Sequence, residues 1–526
     1  MDGGPRRPPP AGATIGRSRI AGRSGPEDRT DVECAVTSRR PGPSPGRWLV
    51  AALVLFLVAS CSPGAGSGPP LSSASKPLPS VGRHDSASGG ASTAPSDPAV
   101  QPSTPSARAA AAFLAGYPLV TTVRTMQTFA AITGVNKLLR TAALVTPAVR
   151  LVVAPNHDTL YALAVLDLRA GPQALTLPKI DRYYTFQVID AWMDTVTNIG
   201  TRGTKGEPGT WVFTPPGSTA HLPAGAHEVK ATTNQLVLLG RVRANDDADA
   251  PAAYAATAEV KLQPLAAITG GATQPEAPPM AKTPGTPQTV GANGLGYFDE
   301  LGDALAVNAP TDEQRRTAID GAKPLGVGPG RHPTSDPGAD QATLTQAVTD
   351  ESAKVEAGTV AGGKDVNGWQ VNLNLGEKGS TFGLSDRAAV ARHYWGANVA
   401  AESLYPLART ADDGQPLSGT KRYRIHFPPG GEPPVGAFWS FTVYGTDNFL
   451  VPNPINRFTI SGQTPGLKRG TDGSLDLYLG ATTPAGHDAN WLPTPNGPFR
   501  LILRLYLPKK PILDGSYRYP PIKMLP

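Results

Sequence analysis

The sequence has very little cysteine, few charged residues and no long apolar run. Only two of its 526 residues are cysteine, Cys34 and Cys61, which excludes a disulfide-stapled scaffold and a thiolate zinc site. Charged residues make up 17% of the chain, which excludes a coiled coil and a highly charged disordered protein. No segment approaches the roughly 20 consecutive apolar residues of a membrane-spanning helix, which excludes a polytopic membrane protein.

Glycine and proline are, by contrast, abundant. The chain has 58 glycines and 56 prolines, whereas ordinary usage is roughly 7% and 5%. Both residues occur throughout the sequence and separate short apolar runs, a pattern typical of strands joined by turns. The composition therefore favours a mainly β protein.

Residues 1–60 are predicted to be an export signal rather than folded structure. The twelve apolar residues Trp48–Ala59 follow Arg39, Arg40 and Arg47, and small residues come directly after them. A positive flank, a short apolar core and small residues before a cleavage site describe a secretory signal. The apolar core is preceded by 47 residues, which is long for such a signal. Either translation starts further downstream or export tolerates the extension.

The sequence Val58-Ala59-Ser60-Cys61 resembles the lipobox of bacterial lipoproteins. The resemblance implies that a diacylglycerol is attached to Cys61 and that the chain is cut before this residue. Two or three acyl chains give a stable anchor, where one chain would be marginal. We therefore expect a lipoprotein on the outer face of the bacterial cell membrane. An ordinary signal peptide with a chance cysteine is the alternative.

Residues 61–107 are predicted to be a disordered tether. Pro, Ser and Gly account for 27 of the 46 residues from Ser62 to Ala107, so this segment cannot bury enough apolar surface to fold. The first 60 residues hold nine arginines and five acidic residues, and their removal lowers the formal net charge from +6 to +2. Because the rest has no basic stripe, no nucleic-acid partner is predicted.

The remaining chain predicts two tandem antiparallel β-sandwich domains, jelly-roll-like, with a helical and loop-rich segment between them. Short alternating strands separated by turns occur in residues 108–245 and again in residues 368–526. Residues 246–367 alternate Ala- and Asp-rich stretches with Pro- and Gly-rich ones, which favours short helices and loops. A helix is also expected at the start of the first domain, from Arg108 through Pro118 to Ile132.

The two strand-rich regions suggest one plan used twice. Their best-matched strands both read aromatic, aromatic, hydroxyl, Phe, polar, Val and a large residue. Chance similarity between alternating strands is the alternative. The paired segments are Tyr183–Ile189 with Phe438–Tyr444, Gly209–Phe213 with Gly473–Leu477, and Leu236–Leu239 with Leu501–Leu505.

Polar residues at strand ends form the candidate site of the first domain. Asn156, Asp158 and Tyr161 lie where a loop enters a predicted strand, Asp190 ends a later strand, and Arg202 lies in a glycine-rich loop. Loops at strand ends present side chains to ligands. The alternative is structural, because Asn and Asp at such positions also form turns with nearby backbone amides.

Amide and tryptophan side chains form the candidate site of the second domain. Asn398, Trp439 and Asn490 lie on or near predicted loops. Such side chains suit the binding of sugars or polar lipids, and they also commonly fix loops in place.

Motifs for metal and nucleotide chemistry are missing. The eight histidines are scattered without H-x-x-H or H-E-x-x-H spacing, so no metal site is predicted. The string Gly326-x-Gly328-x-Gly330 neither follows a predicted strand nor opens a helix, unlike a nucleotide site. We therefore expect no cofactor.

Several motifs in order resemble two families of domains of unknown function. The first group resembles family 1254 (DUF1254) and the second resembles its usual partner, family 1214 (DUF1214). The resemblance implies a two-domain β-sandwich protein that is common in bacteria and often exported, and it implies no defined reaction. The first group includes Asn156-His-Asp-Thr-Leu-Tyr161, Arg182-Tyr-Tyr184 and Gly200-Thr-Arg202, and the second includes Gly396-Ala-Asn398, Asp472-Gly-Ser474 and Asn490-Trp-Leu-Pro493.

These observations leave three functional hypotheses open, with and without catalysis. The first is a lipoprotein that binds or processes an envelope carbohydrate or lipid in a groove between the sandwiches, lined by the eight candidate residues. If it hydrolyses, Asp158 and Asp190 would act as acid and base or nucleophile, with carboxyls about 5 to 10 Å apart. The second is a non-catalytic structural or interaction lipoprotein. The third is a small-molecule or ester hydrolase that uses an unrecognised serine.

Overall fold

The first folded region contains a long helix followed by nine strands. The computed structural model describes residues 103–150, 153–280, 285–358, 363–376 and 382–526. The predicted signal, Cys61 and nearly all of the predicted tether lie outside these described residues. The elements are α1 (Pro105–Thr133), β1 (Leu139–Arg140), β2 (Thr159–Asp167), β3 (Gln173–Leu177), β4 (Tyr184–Asp190), β5 (Thr195–Gly200), β6 (Gly209–Thr214), β7 (His227–Lys230), β8 (Gln235–Arg243), α2 (Ala250–Ala255) and β9 (Lys261–Pro264).

These nine strands form the first sandwich. One sheet has the order β1-β2-β8-β4-β5 and the other β7-β6-β3-β9. Successive residues of a strand point to opposite faces, so Phe186 and Leu238 of one sheet meet Leu175 and Phe213 of the other in one buried core. Because β9 pairs with β3, the sandwich extends to Pro264, beyond the expected boundary at residue 245.

A layer of helices covers the outer face of the first sheet. The helix α1 packs against β2 and against four later helices, and Val165 and Val237 of the sheet share one buried core with them. The helix was expected to pass through Pro118, and it does so without a break. The later helices are α3 (Leu265–Thr269), α4 (Gly296–Val307), α5 (Glu313–Gly321), α6 (Gln341–Ala357) and α7 (Leu384–His393), of which α4 to α7 contact α1.

The second sandwich contains the remaining strands. Its larger sheet has the order β10-β11-β13-β19-β15-β16, with β12 also paired to β19, and its smaller sheet has the order β18-β17-β14-β20. Phe441 and Leu503 meet Ile425 and Leu477 in its core. The elements are β10 (Lys364–Val366), β11 (Trp369–Val371), β12 (Ser403–Leu404), β13 (Leu407–Ala408), β14 (Arg422–Phe427), β15 (Val435–Tyr444), β16 (Thr459–Ser461), β17 (Leu475–Gly480), β18 (Trp491–Pro493), β19 (Arg500–Pro508), α8 (Lys510–Leu513) and β20 (Ile522–Leu525).

The two sandwiches have the same strand order. The run β2-β8-β4-β5 corresponds in chain order to β13-β19-β15-β16, and β7-β6-β3-β9 corresponds to β18-β17-β14-β20. Among the eight matched strands of each sandwich, the sixth, β7 or β18, pairs in parallel with the fifth, β6 or β17. The three segment pairs recognised in the sequence fall on β4 and β15, β6 and β17, and β8 and β19. The prediction of one plan used twice is therefore confirmed.

The fold is mainly β, as the sequence predicts, and the helices of the expected connecting segment pack with α1 and the first sheet as a layer. Its sheets are antiparallel apart from the two parallel pairs named above. Within the described ranges, no helix combines the length and the apolar character needed to span a membrane.

Candidate binding site

The two sandwiches meet at a surface that we call the domain interface. The first sandwich contributes the outer face of β4 and β8 and residues 153–161, and the second contributes the outer face of β15 and β19 and residues 393–405. Hydrogen bonds cross this surface. Ser440 Oγ donates to Asp158 Oδ2 at 2.6 Å, and Tyr444 donates its hydroxyl proton to the Pro155 carbonyl at 2.6 Å.

Two buried carboxylates hold the domain interface together. Asp158 Oδ1 lies 3.4 Å from Arg243 Nη1. Glu402 accepts hydrogen bonds from Tyr183 and from Arg202 Nε, both at 2.8 Å. Burial, and next the nearby charge of Glu402, raise the pKa of Tyr183 well above its ordinary value, so this phenol stays a donor. Because a buried charge is costly without partners, the contacts of Glu402 with Tyr183 and Arg202 join the two domains, whereas the pair of Asp158 and Arg243 lies within the first sandwich.

A cavity of about 70 Å³ lies in the domain interface, and we call it the interface pocket. A single water needs roughly 10 to 15 Å³ by a comparable measure, so the pocket has room for several waters or one small polar group. Its side chains with polar atoms come from both sandwiches and are those of Asn156, Tyr161, Arg241, His393, Tyr394, Trp395, Tyr405 and Arg504.

Two arginines of the interface pocket are buried against neutral partners. Arg241 donates through Nη1 to Gln187 Oε1 at 2.9 Å and through Nη2 to the Gly396 carbonyl at 2.7 Å. Arg504 donates to Thr442 Oγ1 at 2.9 Å and to the Ala154 carbonyl at 2.7 Å. The two residues are only 7% and 3% exposed. A guanidinium group remains protonated in proteins, so both positive charges are buried.

Two of the predicted site residues, Asn156 and Tyr161, line the interface pocket. Asn156 Oδ1 accepts hydrogen bonds from the Thr159 amide and hydroxyl, at 3.0 and 2.9 Å, which is the turn expected at this position. Its Nδ2 donates to the hydroxyl of Tyr506 in the second sandwich at 3.1 Å. This residue therefore shapes the loop and joins the two domains at the pocket wall.

Two further predicted residues lie in the domain interface beside the pocket. Asn398 accepts a hydrogen bond from Asn198 Nδ2 at 3.0 Å and donates to the Tyr405 hydroxyl at 3.2 Å. The Arg202 side chain is 37% exposed and pairs with Glu402. Asn398 therefore supports Tyr405 of the pocket wall, whereas Arg202 supports Glu402, which does not line the pocket.

Asp158 and Asp190 are not brought together. The register places Asp190 opposite Leu236 at one end of β8, whereas Asp158 contacts Arg243 at the other end. Seven residues of strand at about 3.3 Å each separate these ends by about 23 Å. This distance is far beyond the spacing of an acid and base pair, so the expected arrangement for hydrolysis is not formed.

Asp190 instead organises the turn after β4. Its Oδ1 accepts hydrogen bonds from the Trp192 and Asp194 amides, both at 2.9 Å, and its Oδ2 accepts one from Thr232 at 2.7 Å. Burial, and next the negative charge of Asp194, raise the pKa of Asp190 to about 6. The side chain is fully buried and does not line the interface pocket.

Trp439 and Asn490 have structural positions. Trp439 belongs to the core of the second sandwich, and its Nε1 donates to Glu432 at 3.2 Å. Asn490 Nδ2 donates to the Lys468 and Asp476 carbonyls, both at 2.7 Å, which fixes the turn before β18. Neither residue lines the interface pocket, so the groove expected from the sequence is smaller than predicted.

Arg241, Tyr405 and Arg504 were not among the site residues predicted from the sequence. The two arginines lie in β8 and β19, which are otherwise almost entirely apolar and were interpreted as closing core strands. An arginine within such a run is itself a signal, because an unpaired charge is rarely buried without a reason. Within the described residues, no group of three or more His, Cys, Asp or Glu side chains could hold a metal ion.

Two family models match this chain. The model of DUF1254, described as a protein of unknown function, matches residues 135–264, and that of DUF1214, with the same description, matches residues 402–510. None of the curated proteins matches the sequence.

Two solved structures are similar to this chain. The VPA0106 protein from Vibrio parahaemolyticus is 22% identical with a TM-score of 0.61, over 80% of this chain and 100% of its own. This likeness shows a shared fold. A putative uncharacterised protein from Burkholderia cenocepacia is 12% identical with a TM-score of 0.39, over 78% of this chain and 87% of its own. The family models themselves show that this chain carries a DUF1254 region followed by a DUF1214 region.

Proposed function

We propose that this protein is an exported lipoprotein, tethered to the membrane through Cys61, that binds the polar group of an envelope carbohydrate or lipid in the interface pocket. The observation that carries the proposal is the wall of the pocket, to which both sandwiches contribute buried polar side chains. Ligand sites commonly lie at domain interfaces and combine apolar walls with a few fixed polar groups. Asn156, Arg241 and Arg504 have this character.

The proposal is binding rather than hydrolysis. The oxygens of Asp158 already accept hydrogen bonds from Ser440 and Thr459 and lie beside Arg243. The two oxygens of Asp190 likewise accept hydrogen bonds, from the Trp192 backbone amide and from the Thr232 hydroxyl. Two carboxylates with full sets of partners at opposite ends of a sheet stabilise the fold. They supply no acid and base pair to a substrate.

A pair of matched substitutions tests whether ligands bind in the interface pocket. Ala397 lines the pocket, whereas Ala353 is exposed on α6. Full-length protein in detergent is screened by thermal unfolding against neutral sugars, acidic sugars and phosphorylated lipid headgroups. We expect at least one compound to raise the unfolding temperature of the native protein and of Ala353→Leu, and to have no effect on Ala397→Leu. An equal shift in both variants would place the ligand elsewhere and refute the proposal.

A structural or interaction lipoprotein is the second candidate. The observation in its favour is that Asp158, Asp190, Trp439 and Asn490 all hold turns, strands or domains together. This candidate predicts that no compound stabilises the native protein through the pocket. The same screen therefore separates the two functions.

A further inference from the structure

The two arginines of the interface pocket occupy equivalent positions in the two repeats. The match of Tyr183–Ile189 with Phe438–Tyr444 makes Thr185 equivalent to Ser440. Thr185 pairs with Arg241 on β8, and Ser440 pairs with Arg504 on β19. Because β8 and β19 correspond in the shared strand order, each sandwich contributes an arginine from the equivalent position to one cavity.

The hydrogen bonds of the two arginines are equivalent as well. Nη1 of each donates to a side chain of the neighbouring strand, to Gln187 in one case and Thr442 in the other. The same match of segments makes these two acceptors equivalent. Nη2 of each donates to a backbone carbonyl that the opposite sandwich contributes, Gly396 or Ala154. The wall of the pocket therefore has approximate two-fold symmetry.

Each arginine also has a tyrosine beside it. Tyr161 pairs with Arg241 between β2 and β8. Ser403 pairs with Tyr506 and Leu404 with Leu505, and the same register continued by one residue places Tyr405 opposite Arg504. Both phenols line the pocket.

The two phenols remain able to donate a hydrogen bond to a ligand. The Tyr161 hydroxyl accepts a hydrogen bond from the backbone amide of Asn156 at 3.2 Å, and the Tyr405 hydroxyl accepts one from Asn398 Nδ2 at 3.2 Å. A phenol that accepts a hydrogen bond still carries one proton to donate. The wall thus presents two positive charges and two neutral donors.

The charges of the domain interface do not balance around the pocket. The carboxylate of Asp158 pairs with Arg243, and that of Glu402 pairs with Arg202. Asp158 is close enough to influence the pKa of Arg504, but its oxygens are taken by Arg243 and by two hydroxyls. Among the described residues, the hydrogen bonds of Arg241 and Arg504 all end on neutral acceptors.

We infer that the interface pocket is a two-arginine clamp for a phosphate monoester, with Arg241 and Arg504 binding its oxygens from the two repeats. This inference rests on the proposed binding function and specifies the ligand. A phosphate monoester carries a charge of about −1.5 to −2 at pH 7, which matches two guanidinium charges better than a single carboxylate does. Arginine suits this group because its planar fork donates two parallel hydrogen bonds to oxyanions.

Isothermal titration calorimetry on the full-length protein in detergent tests the clamp. The probes are glucose 6-phosphate, glycerol 3-phosphate, glucuronate and glucose at constant ionic strength. We expect at least one phosphate monoester to bind more tightly than glucuronate, and glucose to bind most weakly. The tighter of the two phosphates identifies a sugar or a lipid headgroup as the source. Tighter binding of glucuronate or glucose would overturn the phosphate assignment while leaving a binding pocket, and no binding of any probe would count against both proposals.

Variants locate the binding of the phosphate. Arg241→Gln and Arg504→Gln should each lower the affinity for the tighter-binding phosphate about tenfold or more. The two factors should be similar, because each variant loses one charged hydrogen-bond donor. Arg316→Gln, on the exposed face of α5, is the matched control and should retain native affinity. Tyr405→Phe preserves the shape of the pocket and should weaken binding by a smaller factor. Native affinity in both pocket arginine variants would overturn the clamp.

Discussion

Each sandwich has an apolar core, whereas the domain interface between them is rich in buried charge. The same strands supply both surfaces, since alternate residues point to opposite faces. On β15 and β19, Phe441 and Leu503 enter the core, and their neighbours Ser440 and Arg504 enter the interface. One face of these strands therefore holds each domain together, while the other face joins the two domains and forms the pocket.

The largest expected effect comes from the apolar side of this comparison. Phe441→Ala should lower the free energy of unfolding by up to about 5 kcal/mol, because it removes a buried ring and leaves a cavity. Denaturant unfolding followed by circular dichroism measures the loss. Phe441→Leu is the control and should lose much less, since it fills most of the space. Equal losses would show that volume in this core does not determine stability.

A comparable loss of stability should follow when a buried carboxylate of the domain interface is removed. Asp158→Asn should lower the free energy of unfolding by about 3 to 4 kcal/mol, because Arg243 loses its carboxylate partner while remaining buried. Asp181→Asn, on the exposed turn before β4, is the control and should change stability little. If Asp158→Asn were as harmless as the control, the domain interface would not depend on this pair.

Asp190 is a buried carboxylate outside the domain interface, and it should make the stability depend on pH. Its pKa is raised from 3.8 to about 6 in the folded protein, so between about pH 4 and pH 6 the folded state binds a proton that the unfolded state has released. This residue should therefore lower the stability by about 3 kcal/mol as the pH rises through that window. Asp190→Asn should flatten this part of the stability curve. A parallel curve for the variant and the native protein would contradict the prediction.

Arg241 is a buried charge that donates only to neutral acceptors, whereas the buried Arg243 pairs with a carboxylate. In the absence of ligand, Arg241→Gln should lower the free energy of unfolding by only about 1 kcal/mol, because lost hydrogen bonds are offset by removal of a buried charge with neutral partners. Denaturant unfolding beside Asp158→Asn provides the measurement. A loss as large as that of Asp158→Asn would show that Arg241 is compensated like the paired arginines.

The smallest effect on the fold is expected from the anchor. Cys61→Ser should move the protein out of the membrane fraction, because the proposed lipoprotein is anchored by acyl chains on Cys61. The free energy of unfolding should not change, because the predicted tether separates Cys61 from the sandwiches. Fractionation and denaturant unfolding together check both statements. Retention of the variant in membranes would refute the lipoprotein assignment.

Much of the fold could be predicted because its signals are local. Alternation of apolar and polar residues identifies strands, and the matched strands Tyr183–Ile189 and Phe438–Tyr444 reveal the repeat. The failure of the Asp158 and Asp190 pair is a long-range matter. Asp158 directly precedes β2 and Asp190 ends β4, both of which flank β8, and only the register shows that the two residues lie at its opposite ends.

The candidate site was harder to predict than the fold. Asn156 and Tyr161 were found because polar residues at a strand entrance are conspicuous. Arg241 and Arg504 were missed because each lies in a run that is apolar enough to be a core strand. Their meaning depends on the contact of two outer faces, which no local pattern contains.

The most direct test of the central claim is a crystal structure of the protein grown with glucose 6-phosphate or glycerol 3-phosphate, whichever binds more tightly. We predict that the phosphate lies between Arg241 and Arg504 and that its oxygens lie within hydrogen-bond distance of both guanidinium groups. A phosphate bound instead on the surface loops, with the interface pocket holding only water, would contradict the account.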